Sequence, residues 1–203
     1  MNARINLQPI AAPSILGLYA LAGSSLIVAA NMAGWYGNPH TALYLIPFTT
    51  VFGGIAQFAA GMWAYKARDA IATAMHGTWG SFWIGFGILQ LLMVTGTIPP
   101  NAGSSFPALG CWFIALAAIT IMGTIAATAK NLALTLTLGT LSLGSIFAAL
   151  ALFLGSSPGV SWEAAAGYTL IVSAICAWYT ASALMLVRYH QRQLPERRES
   201  LLV

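Results

Sequence analysis

The chain alternates between six long apolar stretches and short polar breaks. Each stretch holds about 20 apolar residues, which as a helix would cross the hydrocarbon core of a bilayer. The apolar character is continuous and lacks the alternation of barrel strands, and a backbone in hydrocarbon must satisfy its own hydrogen bonds. The pattern therefore predicts an all-α integral membrane protein, a bundle of six transmembrane helices. The stretches cover roughly residues 15–35, 42–65, 72–96, 106–129, 132–155 and 162–187.

The positions of the basic residues indicate how this bundle is oriented. Every Lys and Arg falls before the first stretch or after an even-numbered one, and the other breaks hold none. By the positive-inside rule both termini are then cytoplasmic. We expect a short N-terminal segment (1–14), a transmembrane domain (15–187) and a polar tail (188–203). The basic residues are Arg4, Lys66, Arg68, Lys130, Arg188, Arg192, Arg197 and Arg198.

Composition supports a lipid environment. Hydrophobic residues make up 59% of the chain and charged residues 6%, whereas soluble domains carry roughly 25% charged residues. The net charge is +4. The basic residues lie in the breaks between apolar stretches, so this charge does not indicate nucleic-acid binding. The stretch after Arg4 is long enough to span, so we expect a first helix and no cleaved signal peptide. The sequence predicts a multi-pass protein of the cytoplasmic (inner) membrane.

Catalytic and metal-binding signatures are weak. Residues 155–159 satisfy the G-x-S-x-G pattern of serine hydrolases, but that elbow needs a preceding strand, and here the pattern joins two apolar stretches. Cys111 and Cys176 lie in separate apolar stretches without a second ligand. We therefore expect no enzyme, no cofactor and no metal site.

Charged residues are absent from the middle of every stretch. Ion-coupled carriers and pumps usually keep a charged group at that depth. A path through this bundle would be lined by neutral polar atoms, aromatic faces and helix ends, which suits an anion or a neutral solute better than a cation. Three hypotheses stay open: a path for small carboxylates, a channel for a neutral solute or gas, and a structural protein without flux.

Several polar and small residues are candidates for lining or packing. Gln57, Ser24 and Ser25 each carry a polar group within an apolar stretch, which must find a partner or water. His76 begins the third stretch and is the one candidate for a proton-linked role. Small residues recur every fourth position in the same stretch, and we expect this stripe to seat a neighbouring helix. The small-residue stripe consists of Gly77, Ser81 and Gly85, beside an aromatic face of Trp79, Phe82, Trp83 and Phe86.

Three short runs in the second and third stretches form one motif block: Gly53-Gly54-Ile55-Ala56-Gln57, Ala60-Gly61-Met62-Trp63 and Trp79-Gly80-Ser81-Phe82-Trp83. They resemble the G-G-x-x-Q…A-G…Y-G-[SA]-F-W block of the acetate/succinate permease (AceTr) family of six-helix membrane proteins. Residues 12–18 resemble its N-P-A-P-L-G-L signature, with Pro13, Leu16, Gly17 and Leu18 matching. Ala12 and Ile15 depart from the signature, and Arg68-Asp69-Ala70 stands where the family has Gly-Asn-Thr.

The resemblance implies a function and a site. The family forms hexamers with one pathway per protomer and passes acetate, succinate and similar carboxylates. Its hydrophobic constriction falls on Leu21, Trp79 and a residue between Leu138 and Leu141. We expect Trp79 to offer its indole N–H to a carboxylate. Helix N-termini at Pro13 and at a break at Gly17 would offer backbone N–H groups to it.

Overall fold

The computed structural model describes residues 11–38, 40–98, 106–155 and 161–199, without the side chains of Ala42 and of residues 188–199. The described residues form helices and no strand, and they contain six helical stretches long and apolar enough to cross a membrane. The second of these, Leu43–Lys66, is made of three consecutive helical segments. The prediction of a six-helix, all-α bundle is confirmed. The segments are α1 (Pro13–Met32), α2 (Thr41–Pro47), a π-helical segment (Phe48–Ala56), α3 (Gln57–Lys66), α4 (Ala70–Val94), α5 (Pro107–Ala127), α6 (Leu132–Leu154) and α7 (Trp162–Glu199).

Local chemistry explains where several helices begin. Pro13 and Pro107 occupy the first turns of α1 and α5, where a missing backbone N–H costs nothing. Asp69 caps α4 by accepting a hydrogen bond from the Ala72 N–H at 3.0 Å. Asn131 caps α6 in the same way. The breaks in the hydrophobic pattern are thus also caps, which is why the predicted bounds lie within a few residues of the observed ones.

The second span differs from a regular α-helix. A π-helical segment of nine residues separates α2 from α3. Hydroxyl groups support the distorted turns, because Thr49 and Thr50 donate to the carbonyls of Leu45 and Ile46 at 2.9 and 2.6 Å. Single π turns are often found at functional sites. The hydrophobic pattern predicted one continuous helix here and carried no signal for the wider turns.

Two ends of the chain lie partly beyond the prediction. α7 continues to Glu199, past the apolar stretch that ends near residue 187, so the predicted polar tail begins within a helix. Residues 1–10 and 200–203 lie outside the described residues, as does most of the G-x-S-x-G match. The division into a segment, a domain and a tail stays a prediction.

Neighbouring helices make close contacts through glycines, though not through those expected. A Cβ on Gly80 would lie 2.5 Å from the backbone N of Phe58, whereas a Cβ on Gly77 or Gly85 would meet no atom within 4 Å. Gly61 approaches the backbone of Gly77 from α3. The prediction that the face of the small-residue stripe seats a neighbouring helix is therefore wrong within the chain, where Gly77 meets α3 through its backbone and not on that face. The close crossing of α3 and α4 uses the adjacent face instead.

Candidate functional site

Two cavities enter the bundle from opposite ends. The Glu163 cavity, of about 420 Å³, is lined by the end of α1 and the starts of α2 and α7, including Asn31, Thr41 and Glu163. The Lys130 cavity, of about 200 Å³, is lined by the starts of α1, α4 and α6, including Ser14, Asp69 and Lys130. We call the bundle end at Asp69 and Lys130 the basic end. It carries the breaks after the second and fourth spans.

Among the described residues, Trp79 is the one that lines both cavities. Its side chain is 2% exposed and packs edge-on against Phe82, with ring centroids 5.4 Å apart. Leu21, Leu138 and Leu141 line the Lys130 cavity with it. The structure therefore brings together the residues onto which the resemblance placed a constriction, and both ends of the uncertain 138–141 range lie in the lining.

The indole N–H of Trp79 has a protein partner. It donates to the hydroxyl oxygen of Thr120 at 3.0 Å, and that hydroxyl donates to the carbonyl of Leu116 at 2.7 Å. The expectation that Trp79 offers this donor to a carboxylate is not met in this structure, because the donor is already satisfied. Thr120, on α5, is completely buried and was not singled out from the sequence.

Four lining residues have a buried polar atom without a hydrogen-bond partner in the described part of the chain. The Glu163 cavity has Ser25 Oγ and Trp83 Nε1, and the Lys130 cavity has Gln57 Oε1 and His76 Nδ1. An unpartnered buried polar atom is costly, so each lining offers a place for a polar solute or water. Ser24 Oγ is also unpartnered but lies against Gly53, outside both linings.

His76 is fixed by the signature segment of α1. A Cβ on Gly17 would lie 2.5 Å from the His76 ring, so glycine is what lets the imidazole lie against the α1 backbone. Leu18 lines the Lys130 cavity, whereas Leu16 lies on a different surface with Tyr19. α1 begins at Pro13 as predicted but runs unbroken through Gly17. The predicted second helix N-terminus at Gly17 is wrong.

An ion pair lies at the mouth of the Lys130 cavity. Lys130 Nζ donates to both carboxylate oxygens of Asp69, each at 2.8 Å. Burial alone raises the pKa of Asp69, but the hydrogen bond and charge of Lys130 and the hydrogen bond from Ala72 outweigh it, so the pKa of Asp69 lies below its ordinary value. Sequence reasoning missed this pair, although Asp69 was noted where the resembling family has Asn.

A family model described as the GPR1/FUN34/yaaH family matches residues 2–193. The chain belongs to this family. The resemblance to acetate/succinate permeases is confirmed by its relatives. An acetate transporter protein, patA, of Aspergillus clavatus is 26% identical over 88% of this chain and 74% of its own length. The succinate-acetate/proton symporter SatP of Escherichia coli K12 is 29% identical over 51% of this chain.

The matched region covers part of some relatives. It spans 54% of the Escherichia coli symporter, and 29% of a "glyoxylate pathway regulator" of Yarrowia lipolytica that is 32% identical over 39% of this chain. A solved structure titled as the bacterial acetate channel SatP superposes with a TM-score of 0.79, covering 89% of this chain and 95% of that one at 20% identity. At that identity the likeness shows a shared fold.

Proposed function

We propose that this chain forms a membrane path for acetate, succinate and similar short carboxylates. The observation that carries the proposal is the pair of mostly apolar cavities, each with a few polar groups, that enter the bundle from opposite ends and share Trp79. Relatives named as an acetate transporter and a succinate-acetate/proton symporter support the choice of solute. The function proposed is transport and not catalysis.

The lining suits a small amphipathic acid. Most lining side chains are aromatic or aliphatic, and they match the methyl or methylene part of a short carboxylate. The donors available to its oxygens are the hydroxyl of Ser25 and the indole N–H of Trp83, with the imidazole of His76 nearer the basic end. A solute would pass from Ser25 and Trp83 to His76 by crossing the Trp79 ring.

Flux into liposomes tests the proposal directly. Liposomes that contain the purified protein should take up labelled acetate faster than empty liposomes do. They should also take up acetate faster than a neutral solute of similar size such as acetamide. Equal rates for acetate and acetamide would favour the neutral-solute channel instead. No flux above empty vesicles for either compound, with folded protein, would leave the structural hypothesis.

We further propose that the basic end faces the cytoplasm, because all described Lys and Arg side chains lie at that end. Gly37 and Ala67 are exposed at opposite ends, so a cysteine at either position reports the orientation. In a variant without Cys111 and Cys176, Gly37→Cys should react with an impermeant thiol reagent on sealed cells, and Ala67→Cys should not. The reverse labelling would overturn the orientation and the assignment to the cytoplasmic (inner) membrane.

The proposed assembly is a homohexamer with one path per protomer. It follows the family resemblance, and the open face of α4 at Gly77 and Gly85 leaves room for a neighbouring protomer. Native mass spectrometry in detergent should give a mass of about six chains. A stable monomer that still transports acetate would remove the hexamer from the proposal.

A further inference from the structure

The mouth of the Lys130 cavity already holds a carboxylate, that of Asp69. Lys130 Nζ contacts both of its oxygens at 2.8 Å, the geometry of a charge-assisted pair. The two side chains are 40% and 32% exposed, so water reaches the pair and screens it. A partly exposed pair of this kind is weak enough to exchange partners.

The negative charge of Asp69 is not required to begin α4. Its Oδ1 accepts the Ala72 N–H at 3.0 Å, and an asparagine oxygen caps a helix about as well as an aspartate oxygen. What the charge adds is the bond to Lys130, since this is the one ion pair within the described ranges. The cap and the ion pair can therefore be separated by a single substitution.

Lys130 is also the one Lys or Arg among the described residues that line either cavity. Among the side chains that the structure describes, an anion entering the Lys130 cavity finds no other full positive charge. Deeper in the same cavity, His76 and Gln57 are 4% and 1% exposed, and each presents a polar atom without a partner. The cavity thus combines a cation at its mouth with unpartnered polar groups inside.

We infer that Lys130 is a carboxylate-binding residue of the path, and that Asp69 is a built-in competitor that occupies it until a solute carboxylate takes its place. The inference rests on the proposed function and adds a specificity-determining pair to it. When the solute binds, the Lys130 ammonium turns from one carboxylate to another, and Asp69 keeps its hydrogen bond to the α4 N-terminus. The exchange leaves the number of charge-assisted bonds to Lys130 unchanged.

Competition predicts opposite effects for the two partners. Asp69→Asn keeps the cap and frees Lys130, so acetate flux at low salt should rise about two- to fivefold, the range expected for a partly exposed ion pair. Lys130→Gln leaves an unpaired carboxylate at the mouth, so flux should fall by a similar factor. Lys66→Gln is the matched control, because Lys66 is exposed at the same end but lines neither cavity. Its flux should equal that of the unaltered protein.

A binding measurement tests the inference without transport. The chain has two lysines, Lys66 and Lys130, so reductive methylation with a carbon-13 label gives two side-chain NMR signals, assigned with Lys66→Arg. Adding acetate at constant ionic strength should shift the Lys130 signal and leave the Lys66 signal in place. In Asp69→Asn the same shift of the Lys130 signal should occur at a lower acetate concentration. Chloride at equal concentration should leave both signals in place.

Several outcomes would overturn the inference. If both partner variants lower flux alike and lose thermal stability together, the pair is a structural tie between two loops. If acetate moves both lysine signals equally, or moves neither, Lys130 is not a carboxylate-binding residue. A protein without acetate flux whose Lys130 signal still responds to acetate would refute the proposed transport and keep the binding residue.

Discussion

The two cavities meet at one tryptophan but hold their charges differently. In the Glu163 cavity the carboxylate is exposed and has no ion-pair partner in the part of the chain that the structure describes. In the Lys130 cavity the carboxylate of Asp69 is bound at both oxygens by a lysine. A free negative charge repels an anion, whereas a paired one offers a cation to any carboxylate that can replace it. The same solute therefore meets different electrostatics at the two ends.

Replacing the shared residue should have the largest effect. Trp79→Ala removes a buried ring and its bond to Thr120, which should cost roughly 3–5 kcal/mol of stability. It should also join the two cavities and raise the rate of succinate relative to acetate. Thermal unfolding in detergent and the ratio of the two uptake rates measure these effects.

The control for that variant is Thr120→Val, which leaves the ring in place. It should lower stability by about 1–3 kcal/mol, because the indole N–H loses its partner, and leave the uptake ratio unchanged. A Trp79→Ala protein that is as stable as the original and has the same ratio would show that Trp79 does not separate the cavities.

Crowding the His76 ring from α1 should have the next largest effect. In Gly17→Ala the new Cβ would lie 2.5 Å from the His76 ring, and relieving this overlap should cost about 1–3 kcal/mol. His76→Ala removes the ring, so the double variant should recover most of the loss that Gly17→Ala causes. Melting temperatures of the four proteins provide the test. Strictly additive losses would mean that Gly17 matters for another contact.

Neutralising the Glu163 cavity should have a smaller effect. Glu163→Gln removes the unpaired charge at the opposite end, so acetate uptake from that side should rise about twofold at low salt. The difference should shrink at high ionic strength, where exposed charges are screened. Uptake of acetamide serves as the control, because a neutral solute should respond to neither change.

Acid should weaken the ion pair, with the smallest expected effect. The folded-state pKa of Asp69 is lowered, so the pair stabilises the fold above the ordinary carboxyl pKa. This stability is lost as pH falls through the lowered value. The described charged or titratable groups that face the Asp69 carboxylate are Lys130 and His76. Unfolding of the original protein and of Asp69→Asn, followed from pH 7 downward, should differ by less than about 1 kcal/mol at neutral pH and converge in acid. A difference in unfolding free energy that grows as the pH falls would contradict the predicted direction of the pH dependence.

Much of the fold could be predicted because a bilayer makes strong demands on sequence. Six apolar stretches and the placement of lysines and arginines gave the number of helices, and caps such as Asn131 lie where the pattern breaks. Which side of each helix packs against the other helices was harder to predict. In a membrane both lipid and protein interior are apolar, so the pattern of a helix does not reveal which side is buried. For that reason Gly77 and Gly85 were taken for the contact face, although a Cβ on either would meet no atom and a Cβ on Gly80 would meet the backbone of α3.

The candidate site was predictable to the extent that the resemblance reached it. Leu21 and Trp79 were named from the resemblance, and Gln57 from its polar group within an apolar stretch; all three line the Lys130 cavity. The bond from Trp79 to Thr120 and the Asp69–Lys130 pair join residues far apart in sequence, so no local pattern records them. The sequence nevertheless held a sign of the ion pair. The chain has four acidic residues, and one of them, Asp69, lies at a break between two apolar stretches.

The bond between Trp79 and Thr120 affects how water can fill the path. With its N–H occupied, the ring between the cavities presents carbon to both sides, and narrow apolar points of this kind tend to dry out. A file of hydrogen-bonded water, along which protons hop, is then interrupted at that ring. A proton crosses such a point when something carries it, for example as the hydrogen of an undissociated acid.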